Sequence, residues 1–200
     1  MTDIKYEKIL LNKYLVIGGM DEVGRGPLAG PVVTACVVLK NPVKRVYKIR
    51  DSKALDAPMR KKLFEKITDT VHGYSITIAT QEEVDRYNIL RATQISMNRA
   101  FHELTEKPGI ILIDGKFSKP FEFKSECIIK GDDKHYSIAA ASILAKVYRD
   151  NLMIEYDKEY PEYGFAKHKG YGTKQHLEAI EKYGLCPIHR KTFMQQLKLF

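Results

Sequence analysis

Residues 15–31 read LVIGGMDEVGRGPLAGP, from Leu15 to Pro31. The apolar run Leu15 to Met20 is short, carries Gly18 and Gly19, and ends at Asp21, the pattern of a buried strand that delivers an acid at its end. The segment that follows is too rich in glycine and proline to continue a ladder. Its glycines let backbone amides approach a ligand closely, and Arg25 adds a planar fork suited to phosphate. The glycine spacing and the missing Lys-Ser/Thr ending exclude a Walker A loop and a dinucleotide fingerprint. A tight turn carrying a surface arginine is the simpler alternative.

Working outward, Val32 to Leu39 is β-branched and nearly continuous, a second buried strand. Tyr74, Ile76 and Ile78 alternate with Ser75, Thr77 and Ala79 as in a half-buried third strand, and Ile110 to Ile113 and Ile128 to Ile129 supply two more. Helical patterns lie between them. Pro58 suits the first turn of a helix carrying Met59, Leu63 and Ile67. Thr80 and Glu83 have capping-box spacing, and Met97, Ala100, Phe101 and Leu104 share a face. Ala139 to about Glu159 forms a long helix closed by Pro161. Helices separate the last two strands from the first three, so the expected fold class is α/β, with a central mixed five-stranded sheet flanked by helices. With no repeat or linker, residues 1–200 are expected to form one domain, residues from about 162 to 200 being a helical C-terminal part.

The chain has 200 residues, 44% of them hydrophobic, and 33 Lys plus Arg against 25 Asp plus Glu, a net charge of +8. That balance excludes a disordered tail and favours a polyanionic partner such as nucleic acid. Cys36, Cys127 and Cys186 show no Cys-x-x-Cys spacing, so reduced thiols and a cytoplasmic location are expected. No apolar run approaches the roughly 20 residues that span a bilayer, and neither signal peptide nor membrane anchor is expected.

Three strands end in acids: Asp21 and Glu22 after the first, Asp114 after Ile113, Asp132 shortly after Ile129. In an open α/β sheet, strand ends form the site crevice, so aligned ends would bring four carboxylates together. Turn-favouring acids are the plain alternative for any one of them. A cluster of four needs compensating positive charge, and all-oxygen donors select Mg²⁺ or Mn²⁺ over Zn²⁺. Two such ions about 3.5–4 Å apart would activate a water and stabilise the leaving oxygen of a phosphodiester. Consecutive strand residues face opposite ways, so Asp21 and Glu22 face one metal pair only if the backbone bends, as Gly24 and Gly26 would allow.

The run Asp-Glu-Val-Gly-Arg-Gly-Pro-Leu-Ala-Gly-Pro strongly resembles ribonuclease HII. So do Asp51-Ser52-Lys53-Ala54-Leu55, Ile113-Asp114-Gly115, Lys130-Gly131-Asp132, the run from Ala139 to Val147 with Arg149-Asp150, and His168-Lys169-Gly170-Tyr171-Gly172-Thr173. The resemblance implies an RNase H-like fold and metal-dependent cleavage of RNA in RNA–DNA hybrids and at single ribonucleotides in duplex DNA, by a monomer. It implies that Asp21, Glu22, Asp114 and Asp132 are the metal-binding catalytic acids, that Gly24, Arg25 and Gly26 read the ribose 2′-OH, and that Tyr171 packs at the ribo-to-deoxyribo junction. Asp133 competes with Asp132, which the motif favours.

Ser52 and Lys53, in a polar turn, and the basic pair Lys146 and Arg149, three apart on the Ala-rich helix, are candidate phosphate contacts, with a solvated surface as the alternative. His135, His168, His176 and His189 lack zinc-like spacing and read as phosphate contacts or surface residues. A nucleic-acid-binding protein without catalysis, or a DNA-directed nuclease, remains the rival.

Overall fold

The computed structural model describes residues 4–43, 46, 49 and 56–196. Ser52 and Lys53 lie outside the described residues. The strands are β1 (Val16–Val23), β2 (Val32–Lys40), β3 (Gly73–Ala79), β4 (Ile110–Asp114) and β5 (Ser125–Ile128). They form one sheet in the order β3-β2-β1-β4-β5. β1 pairs antiparallel with β2 and parallel with β4, and the β2–β3 and β4–β5 pairs are antiparallel and parallel, which is the mixed sheet expected. The fifth strand lies earlier than Ile128–Ile129: Ile129 is exposed, and Lys130 turns the chain with a φ of 56°.

The helices are α1 (Lys5–Lys13), α2 (Ala57–Thr70), α3 (Gln81–Tyr87), α4 (Ile89–Glu103), α5 (Gly131–Lys134), α6 (Tyr136–Glu159), α7 (Phe165–His168), α8 (Lys174–Tyr183) and α9 (Lys191–Gln196). Thr80 and Glu83 form the predicted capping box. The helix expected after it is broken at Asn88, which takes a positive φ of 65° and accepts from the amides of Leu90 and Arg91, ending α3 and capping α4. With ψ at 164° this lies outside the left-handed well that asparagine favours, and the two capping bonds offset the strain. α1 went unread in the sequence, although Glu7, Leu10 and Leu11 share its buried face.

The two sheet faces follow the period-two alternation of the strands. Ile17, Val33, Ala35, Val37, Ile110 and Leu112 pack with α6, α1 and α2 in one core, and Met20, Cys36, Val38, Ile111 and Ile113 pack with Met97 and Ala100 of α4 in another. A third core joins Met153, Tyr163, Phe165, Ile180 and Ile188 to Leu28 and Ala29 of the glycine loop. α6 lies hard against β1: a Cβ on Gly19 would sit 2.3 Å from the Ser137 carbonyl carbon. Only glycine allows that approach. No helix among the described residues is long and apolar enough to cross a membrane.

Candidate active site

The parallel β1–β4 ladder ends at the pair Met20↔Ile113, so Asp21 and Asp114 are the next residues on adjacent strands. They share parity with Ile17 on β1 and with Ile110 and Leu112 on β4, all packed toward α6. Both carboxylates therefore emerge on the same face at the open end of the sheet. Asp132 arrives from the first turn of α5. One carboxylate oxygen from each of Asp21, Asp114 and Asp132 lies within 4.8 Å of the others. The Gly131 amide donates to Asp114 Oδ1 at 2.6 Å, tying the end of β4 to the turn that carries Asp132. Asp133 is exposed.

Glu22 stands apart from these three. The β1–β2 register runs unbroken through Val23↔Val33, so no bend separates Asp21 from Glu22, and the departure comes only at Gly24, with a φ of 94°. Parity sends Glu22 the other way. Its Oε1 accepts from Arg25 Nη1 at 3.0 Å, while its buried Oε2 has no hydrogen-bond partner among the described residues. It still lines, with Asp21, Asp114, Ser142, Lys146 and Tyr171, a cleft of about 250 Å³.

The electrostatics call for a cation. Burial first, then the charges of Glu22 and Asp114, push Asp21 well above the usual carboxylate range, against the lowering effect of its hydrogen bond from Ser142. Glu22 is also raised, chiefly by burial and partly by Asp114, although Arg25 opposes this. Oxygen-only donors, mutual repulsion and the orphaned Glu22 Oε2 together fit a divalent hard ion.

The glycine loop lies beside the acids, and a Cβ on Gly26 would be 3.7 Å from Tyr171 Cε1. Tyr171 is 45% exposed. The loop is held by two arginines that sequence reading did not place here. Arg190 Nε donates to the Gly30 carbonyl, Nη1 to Arg25 and Pro27, and Nη2 to Gly24 and Gly30. Arg149 donates to the carbonyls of Ala29, Pro31 and Lys169. Both are fully buried, which pushes Arg149 down to about 10 and Arg190 to about 9, still charged at neutral pH. The expectation that Arg149 sits with Lys146 on a wet or phosphate-facing surface is corrected: the pair diverges, Arg149 inward and Lys146 to the cleft, where Asp150 holds its Nζ at 2.7 Å. The histidine reading is corrected as well. His168, His176 and His189 are buried rather than on the surface. Their flanking aromatic and apolar residues, Tyr163, Phe165 and Ile188, were the available signal.

A mixed sheet in this order, with acids at the ends of its two adjacent central strands and on the following turn, defines an RNase H-like fold. A family model described as Ribonuclease HII matches residues 18–196. A ribonuclease HII of Clostridioides difficile (strain 630) is 52% identical over 184 residues, covering 92% of this chain and 72% of that protein. Another, from Coxiella burnetii (strain Dugway 5J108-111), is 50% identical over 188 residues, 93% of each. The crystal structure of the ribonuclease H2 from Pyrococcus horikoshii OT3 superposes with a TM-score of 0.79 at 28% identity, over 92% of this chain and 96% of that one. The chain belongs to the ribonuclease HII family. It is accordingly a divalent-metal-dependent ribonuclease H of type 2, an endoribonuclease of RNA–DNA hybrids.

Proposed function

We propose that this enzyme also incises duplex DNA on the 5′ side of a single embedded ribonucleotide, leaving 3′-OH and 5′-phosphate ends, as one domain in which the C-terminal helices complete the site. The observation that carries the proposal is the adjacency of an acid cluster to a glycine loop whose backbone is locked from behind. Asp21, Asp114 and Asp132 would hold the ion, Mg²⁺ or Mn²⁺, with Glu22 as the fourth acid lining the same cleft. When bound, the ions supply the charge that activates water and stabilises the leaving oxygen.

The protein's own groups do the rest. Gly24, Arg25 and Gly26 present backbone donors and acceptors to the 2′-OH, the group that separates RNA from DNA at a given position, without reading the base. The Arg190 and Arg149 hydrogen bonds to the loop carbonyls support this role, because preorganised dipoles need not reorganise during reaction. Tyr171 offers a half-exposed ring for packing against the sugar on the deoxyribose side of the junction. Lys146, held by Asp150 at the cleft, is a phosphate contact in this reading, and the motif assigns the same role to Ser52 and Lys53. The same reading takes the enzyme to work as a cytoplasmic monomer in the excision of ribonucleotides from DNA.

The test is a labelled duplex with one ribonucleotide, run with Mg²⁺, with Mn²⁺ and with EDTA, the product ends being assigned by ligation and phosphatase treatment. Metal-dependent incision 5′ to the ribonucleotide supports the proposal. Cleavage of long hybrids alone, or equal cleavage of all-DNA duplex, refutes it.

A further inference from the structure

Hydrogen-bonded to the backbone of the loop that carries Tyr171 is a second group of titratable side chains that the reaction as read above does not use. His168, His176 and His189 are all buried. They do not converge on an ion. The His168 and His176 rings stack with centroids 4.5 Å apart and planes 18° from parallel, and the ring nitrogens are engaged one by one.

The Tyr171 carbonyl can only accept, so His176 Nδ1, 2.9 Å away, carries a proton and donates to it. A neutral His176 is then bare at Nε2 and accepts, at 3.1 Å, from His189 Nε2, which leaves His189 bare at Nδ1. That nitrogen lies 2.9 Å from the Cys186 amide, 3.1 Å from its thiol sulfur and 3.2 Å from its carbonyl oxygen, and in this tautomer it accepts from the amide. The backbone acceptor at Tyr171 thus sets a one-way chain that runs to it from Cys186 through two imidazoles. Burial keeps both rings neutral, with His176 and His189 each pushed down to about 4.

The same loop is fixed on its other side. The Gly170 amide donates to His168 Nδ1 at 3.2 Å, leaving His168 Nε2–H to donate to the Tyr163 carbonyl at 2.8 Å. The Thr173 amide adds a second bond to the Tyr171 carbonyl at 2.8 Å. The backbone of Tyr171 is pinned by two donors while its ring stays open to the cleft. Packing alone does not require this arrangement, since an apolar side chain could fill the volume of His176 but could not donate to Tyr171.

We infer that His176, oriented by His189, is a positioning residue that holds the backbone of Tyr171 and so sets where its ring meets a ribonucleotide junction. The inference rests on the reading of Tyr171 proposed above.

The experiment compares incision of a single ribonucleotide in duplex DNA with cleavage of a long hybrid, both with Mg²⁺, for the full-length wild type, His176→Leu, His176→Asn, Tyr171→Ala and the double variant Tyr171→Ala/His176→Leu. His176→Leu removes the donor, and His176→Asn keeps an N–H near the Nδ1 position. His176→Leu should lower the single-ribonucleotide-to-hybrid rate ratio by roughly tenfold, the effect of misplacing a contact group, and His176→Asn should restore it to within about threefold. The double variant should do no worse than Tyr171→Ala alone, because the two changes act through one contact. Nitrogen-15 histidine spectra should show His176 protonated on Nδ1 and His189 on Nε2.

Equal losses on both substrates accompanied by lower melting, failure of His176→Asn to rescue, independent losses in the double variant, or the opposite tautomers would each overturn the inference while leaving the Tyr171 reading intact. A silent Tyr171→Ala would sink that reading itself, and the positioning role with it.

Discussion

Arg190→Lys tests whether the buried arginines set the shape of the glycine loop. Arg190 is 0% exposed and makes five hydrogen bonds, between 2.6 and 3.0 Å, to the carbonyls of Gly24, Arg25, Pro27 and Gly30. A lysine ammonium radiates three donors from one atom and cannot serve acceptors now reached from three nitrogens. At least two bonds go, and at roughly 1.5–3 kcal/mol for each bond to a charged donor the loss is about 3–6 kcal/mol before the loop relaxes toward water. Relaxation takes this to the lower end, about 3 kcal/mol, which for a chain of this size lowers Tm by roughly 6–12 °C. Burial also disfavours the ammonium, which, unlike guanidinium, readily gives up its proton.

Activity should fall further than stability implies, because a loop displaced by about 1 Å costs on the order of 10²-fold in rate. The assay pairs thermal melting with single-turnover cleavage of a hybrid at a temperature where the variant remains folded. Arg190→Lys melting within about 2 °C of wild type and cleaving within about twofold of it would refute the reasoning, since neither the bonds nor the loop shape would then matter.

Three further outcomes follow from the site. Asp114→Asn should lower hybrid cleavage with Mg²⁺ by roughly 10³-fold or more, about 4 kcal/mol of transition-state stabilisation, and full cleavage by that variant would remove Asp114 from the metal site. In the metal-free protein, the raised pKa of Asp21 means that the folded chain binds this proton more tightly than the unfolded chain does; the associated stability is present in acid and lost as pH rises through the raised value. Metal-free Asp21→Asn should therefore melt above wild type at neutral and alkaline pH, with the gap closing in acid, and Mg²⁺ should raise the melting temperature of wild type but not of the variant; a variant that melts below wild type at every pH contradicts this. Gly19→Ala places a methyl 2.4 Å from Ser137 Cβ and should destabilise by about 1–3 kcal/mol in denaturant titration, whereas an unchanged midpoint would contradict the close approach of α6.

The strands were legible because they obey the period-two rule. Val32 to Leu39 and Ile110 to Ile113 announce buried ladders, and the same rule, applied once register is known, explains why Asp21 meets Asp114 while Glu22 does not. What stayed hidden depends on contacts across the chain. The bond from Arg190 Nε to the Gly30 carbonyl spans 160 residues, and arginine is so seldom buried that no local pattern flags it. The buried histidines mislead for a similar reason, since spacing can test for zinc but not for a chain of neutral imidazoles closed by backbone groups. Asn88 offered only its N-cap preference as a local signal for the split between α3 and α4, because its backbone, at φ 65° and ψ 164°, lies in a region that glycine rather than asparagine favours.

The central claim is that acids from three separate segments share divalent ions beside a ribose-sensing loop. Anomalous diffraction from crystals of the enzyme with Mn²⁺ and a duplex carrying one ribonucleotide tests it most directly. The account predicts a manganese peak bounded by Asp21, Asp114 and Asp132, with the 2′-OH against Gly24–Gly26; a peak on other carboxylates, or a ribose turned away from that loop, would contradict it.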